Sequence, residues 1–95
     1  MSGVLKTRIE VVNELGLHTR AATQVVRAAS RFASEITISH GPMRANAKSI
    51  MGLLALGARR GVMLDLEVEG EDQQAAFEEI VSLARRGFGE GGTPS

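Results

Sequence analysis

The chain has 95 residues, 43% hydrophobic and 23% charged, a mixture that fits one globular core and excludes disordered or fibrous classes. Cysteine is absent and histidines number two, which removes disulfide frameworks, thiol nucleophiles, thiolate metal sites and zinc fingers. The net charge of zero hides a split: residues 1–60 carry nine Lys and Arg against three acids, and residues 61–95 carry two against eight.

Leu5, Thr7, Ile9 and Val11 alternate with Lys6, Arg8 and Glu10, the two-residue period of a half-buried strand. Asn13-Glu14-Leu15-Gly16-Leu17 breaks that period with turn residues. From Thr19 the spacing changes, because Ala22, Val25, Val26, Ala29, Phe32 and Ala33 recur at three and four residues as the apolar stripe of a helix. Thr19 offers an N-cap oxygen for it. Arg20, Gln24, Arg27 and Arg31 occupy a different, solvent-facing side.

Glu35 to Ser39 alternates again, His40-Gly41-Pro42 reads as a surface turn, and Met43 to Asn46 returns as a short partner strand. A second helix is predicted from Lys48 to Ala58, closed by Arg59-Arg60-Gly61, basic residues followed by glycine. Gly52 and Gly57 each cost about 1 kcal/mol there relative to alanine, so this helix depends on packing. Val62 to Glu69 is the clearest strand pattern, Gly70-Glu71-Asp72 a turn and cap, and Gln73 to Phe88 a third helix with Phe77, Ile80, Val81 and Ala84 inward. Residues 1–88 are therefore expected to form the domain and 89–95 a flexible tail.

The predicted class is α+β: a two-layer open-faced sandwich in the order β-α-β-β-α-β-α, with a four-stranded antiparallel sheet covered on one face by three helices. Lys6 and Arg8 face outward on the first strand, and Asp65, Glu67 and Glu69 on the last. Opposite charges across antiparallel neighbours contribute roughly 0.2–1 kcal/mol each, so these two strands should be adjacent. No run approaches the roughly 18 apolar residues of a membrane span, and the first residues lack a leader's apolar stretch. A cytoplasmic protein without membrane attachment is expected.

His18 is the reactive candidate. It lies between a glycine turn and an arginine-bearing helix, where unpaired backbone N–H groups favour anions. Arg20 adds a permanent cation with a planar donor fork. A phosphoryl group on the ring would meet both; the competing reading is an ordinary polar residue at a helix start.

Asn13-Glu14-Leu15-Gly16-Leu17-His18-Thr19-Arg20-Ala21-Ala22 resembles the active-site segment of HPr, the histidine-containing phosphocarrier family of the bacterial sugar phosphotransferase system. Lys48-Ser49-Ile50-Met51-Gly52 is similar to the family's second signature, and Gly57 and Gly61 fall where it keeps glycines. The resemblance spans Val4 to Phe88. It implies a carrier rather than an enzyme, with no cofactor and no metal. The carrier would accept a phosphoryl group from phosphorylated enzyme I on Nδ1 of His18 and pass it to an enzyme IIA domain, with Arg20 stabilising the charge in flight. It implies regulation at Ser49 by an HPr kinase/phosphorylase. Thr19, Gln24, Arg27, Ile50 and Met51 are the expected partner contacts, and a monomer is expected. Ala21 stands where relatives often carry proline, which leaves the branch of the family open. The alternative is a nitrogen-branch or regulatory HPr-like protein acting mainly by binding partners. Nucleic-acid binding through the helix arginines is disfavoured, because tyrosine and tryptophan are absent and no strand carries a stacking platform.

Overall fold

In a computed structural model, residues 3–89 are described. Strand β1 (Leu5–Glu10) is followed by helix α1 (Thr19–Ala29), strands β2 (Glu35–His40) and β3 (Met43–Asn46), helix α2 (Ile50–Ala55), strand β4 (Met63–Glu69) and helix α3 (Gln73–Arg85). A 3-10 turn over Gly87–Gly89 ends the described chain. The predicted order of elements holds. Of the expected tail, residues 90–95 lie outside the described residues.

The alternating patterns resolve into one antiparallel sheet of order β1-β4-β2-β3. Ile9 pairs with Leu64, Ile38 with Leu66 and with Ala45, and Ile36 with Val68, so the inner face is a continuous aliphatic surface. Onto it pack Val25 and the small residues Ala21, Ala22, Ala28 and Ala29 of α1, Leu53 of α2, and Ala76, Ile80, Leu83 and Ala84 of α3. Phe77 and Val81 are only partly buried, and Ala33, beyond the end of α1, is exposed rather than part of its stripe.

The adjacency of β1 and β4 follows the charges: Lys6 lies opposite Glu67 and Arg8 opposite Asp65, with Arg8 Nε 3.4 Å from the Asp65 carboxylate. Arg44 of β3 reaches Glu67 from the other side at 3.5 Å. These pairs are exposed, so each is worth at most about 1 kcal/mol. On the other side of β4 the pattern fails, because Glu35 stands in register with Glu69.

Four local readings are corrected. The second helix runs only over Ile50–Ala55, not 48–58, because Gly57 takes φ 61 two residues after the helix and its N–H turns back to Leu54 O. Gly57 therefore closes it, and Arg59-Arg60-Gly61 belongs to a separate turn before β4. Asp72 occupies the N-cap position of α3 but does not cap it with its side chain. Its carboxylate accepts from Ser34 Oγ and from the amides of Ser34 (3.0 Å) and Ala33 (2.9 Å) at the entry to β2. The Ser34 hydroxyl first, then the Ala33 amide, hold it below the usual carboxylate pKa against the opposing effect of desolvation. His40 is not in the surface turn; it is the half-buried last residue of β2, with Nδ1 3.0 Å from Leu56 O at the end of α2. The third helix stops at Arg85, and Phe88 follows in a left-handed conformation (φ 58, ψ 33) between two positive-φ glycines. That conformation costs about 1–2 kcal/mol. Complete burial of the ring supplies roughly 1.5–3 kcal/mol in return. Among the described residues no helix is long and apolar enough to cross a membrane.

Candidate functional site

The site begins with a tight loop. Buried Asn13 donates its side-chain amide to Gly16 O (2.6 Å), and Gly16 N returns to Asn13 O (3.1 Å). Gly16 has φ 73, and a Cβ there would lie 2.6 Å from Ala58 O and 3.1 Å from Arg59 Cα, so only glycine allows this approach. Leu17 then donates its N–H to Ala58 O (2.9 Å) and buries its side chain. The loop is thereby seated against the segment after α2.

His18 is the next residue, in extended conformation (φ −92, ψ −172) and half-buried. It is itself the N-cap of α1, displacing the expected cap Thr19 by one position. Its carbonyl accepts the first helical bond, from Ala22 N at 2.8 Å. No side-chain cap closes this end, and the first turn contains no acid. The amides of the first turn thus keep their partial positive charge toward the space beside the ring. Thr19 carries the first helical carbonyl, which accepts from Thr23 Oγ1 (2.8 Å).

An open basin of about 1000 Å³ lies against the imidazole, and its lining includes His18, Thr19, Arg20, Gln24, Arg27 and Arg60. Leu15, 73% exposed, and Val12 lie on its loop side, and Glu14 contributes an acid. Arg8, Arg31, Arg44 and Arg86 each have a carboxylate within 4 Å. Arg20, Arg27 and Arg60 have none among the described residues. The basin is therefore net positive, mixed in polarity and open to solvent. Neither Arg60 nor Leu15 is singled out as a site residue by the sequence; Arg60 comes beside the histidine loop only through backbone bonds between residues 11–17 and 58–62.

Ser49, Ile50 and Met51 lie apart from the basin, at the start of α2. Ser49 is the half-buried N-cap, and its Oγ accepts from Gly52 N (3.0 Å). Ile50 and Met51 project outward, Met51 with 78% exposure. Among the described residues no three His, Asp or Glu side chains gather as a metal site.

The open-faced β-α-β-β-α-β-α sandwich with a histidine at the start of its first helix defines the class of small HPr-like α+β proteins. The comparisons agree: residues 5–86 match the PTS-HPr family, the PTS HPr component phosphorylation site. Phosphocarrier protein HPr of Neisseria meningitidis serogroup A is 42% identical over 88 residues, 93% of this chain and 99% of that protein. Phosphocarrier protein NPr of Shewanella violacea is 41% identical over 86 residues, 90% of this chain and 94% of that one. The crystal structure of HPr-C-His from Thermoanaerobacter tengcongensis superposes with a TM-score of 0.86 at 40% identity, covering 90% of this chain and 97% of that one. The chain belongs to the HPr family of phosphocarriers.

Proposed function

We propose that this protein is a phosphoryl carrier of the phosphotransferase system in which His18 is the transient acceptor. The observation that carries this reading is the extended, half-exposed His18 at the uncapped start of α1, facing an arginine-lined basin. Nδ1 of His18 attacks the phosphorus of phosphorylated enzyme I. A new N–P bond forms as the donor's bond to phosphorus breaks, and the donor group keeps the electron pair. Transfer to an enzyme IIA domain repeats the exchange in the other direction. Arg20 and the first-turn amides stabilise the three phosphoryl oxygens while the group is between partners. Because the basin is open rather than enclosed, the phosphoryl group is supported without being trapped. Thr19, Gln24 and Arg27 contact the partners from α1, and Ile50 and Met51 supply an adaptable apolar patch on α2. The protein works in the cytoplasm as a monomer.

Ser49 is a candidate modification site for an HPr kinase/phosphorylase. A phosphate there would add nearly two negative charges beside Ile50 and Met51 and weaken docking of acidic partners. A nitrogen-branch role is the second reading, favoured by an identity to the NPr relative nearly equal to that with HPr.

Incubation with phosphoenolpyruvate and bacterial enzyme I, followed by mass measurement, should show one acid-labile phosphate. His18→Ala should carry none, and persistent labelling of that variant would overturn the assignment.

A further inference from the structure

We infer that Arg60 is a docking residue that pairs with an acidic side chain of the phosphoryl-donating protein, an inference that rests on the role of His18 proposed above. In sequence, Arg59-Arg60-Gly61 looks like the basic end of a helix, but α2 ends at Ala55 and the pair has no helix to cap. Arg60 instead sits in a turn closed by Val62 N to Arg59 O (3.0 Å), with Gly61 at φ 90.

This turn is fastened to the histidine loop on both flanks. Leu17 N meets Ala58 O at 2.9 Å, Gly61 N meets Val11 O at 2.7 Å, and Val11 N meets Val62 O at 2.9 Å. The backbone of Arg60 is therefore fixed relative to His18 although the two are far apart in sequence. Its side chain is exposed, lines the same basin as His18, and has no carboxylate within ion-pair range among the described residues.

Size decides what Arg60 meets. A phosphoryl group of four heavy atoms displaces roughly 120 Å³, at about 30 Å³ per displaced water. The basin is about 1000 Å³. Arg20 lies two residues from His18, and Arg27 is about 10 Å farther along α1 at 1.5 Å per residue. Arg60 stands on a different element altogether. One small anion does not span cations distributed in this way; a protein surface does. A guanidinium is always charged and engages a carboxylate through two parallel N–H donors. Rim charges of this kind act mainly on encounter, so Arg60 should govern KM rather than the chemical step.

The test measures phosphoryl transfer from phosphorylated enzyme I to the unsubstituted protein and to Arg60→Ala, Arg60→Glu and Arg60→Lys. Arg59→Glu serves as a control, since it makes the same charge change one residue outside the basin lining. Arg60→Glu should raise KM about tenfold and Arg60→Ala about threefold, with kcat within about twofold and the thermal midpoint unchanged. Arg60→Lys should recover most of the loss, and raising salt from about 0.05 to about 0.5 M should shrink the differences. An Arg60→Glu KM within about twofold of the unsubstituted protein, or an equal effect of Arg59→Glu, would overturn the inference. Slowing of onward transfer alone, with uptake intact, would refute the donor as partner. Failure of the His18 reading looks different: no phosphate enters the unsubstituted protein, and the Arg60 inference falls with it.

Discussion

The starts of α1 and α2 solve one physical problem in opposite ways. Both must deal with backbone N–H groups that have no partner inside the helix. At α2 the Ser49 hydroxyl closes the end by accepting from Gly52 N, an ordinary N-cap. At α1 the cap position is given to an imidazole that makes no capping bond, and the loop before it is held by Asn13, Gly16 and Ala58 instead. Local stability is thus kept at the short helix, where Gly52 weakens the sequence. It is given up at the longer helix, whose buried alanines and Val25 hold it in place. The contrast teaches that a reactive helix end needs a scaffold that does not depend on its own cap.

Closing α1 as α2 is closed would break the contrast most strongly. His18→Ser should abolish phosphate incorporation and raise stability by about 0.5–1 kcal/mol, measured by mass and by denaturant unfolding. Moving the scaffold comes next: Gly16→Ala should cost about 2 kcal/mol or more, because a Cβ collides with the backbone at Ala58 and φ 73 is strained for alanine. A stopped-flow assay of Arg20→Ala should show transfer slowed at least about tenfold with unaltered unfolding, since its side chain is exposed and unneeded by the core. Opening α2 through Ser49→Ala should cost about 1 kcal/mol while leaving phosphorylation of His18 intact. The smallest effect belongs to α3. The Asp72 pKa is lowered on folding, so its contribution is present above the ordinary carboxylate value and disappears as pH falls through the depressed one. Unfolding followed down the acid limb should show a shallower loss of stability for Asp72→Asn than for the unsubstituted chain.

Much of this was legible in the sequence where a pattern repeats. Alternation in β4 and its acids, set against Lys6 and Arg8, was enough to place β1 beside it. The segment from Met43 to Asn46 was bounded correctly because a Gly-Pro turn precedes it and a serine N-cap follows. Single-residue geometry was less legible. Thr19 and His18 compete for one cap position, and His18, in extended conformation, takes it. Gly61 after two arginines reads as the helix end and Gly57 as an interior residue, yet it is Gly57, at φ 61, that closes the helix. Asp72 had an evident local job at α3, yet Ser34 and Ala33 drew its carboxylate away. In the site, His18, Thr19, Arg20, Gln24 and Arg27 came together because one helix carries them. Arg60 did not announce itself, since its nearness depends on backbone bonds between distant segments.

The seating of the histidine loop on Ala58 has a consequence for how the protein comes into being. His18 leaves the ribosome forty residues before Ala58, and β1 waits longer still for β4. At about 5–20 residues per second, that interval lasts about 2–8 s. Throughout it, the nascent polypeptide holds the imidazole without the shape that would make it useful.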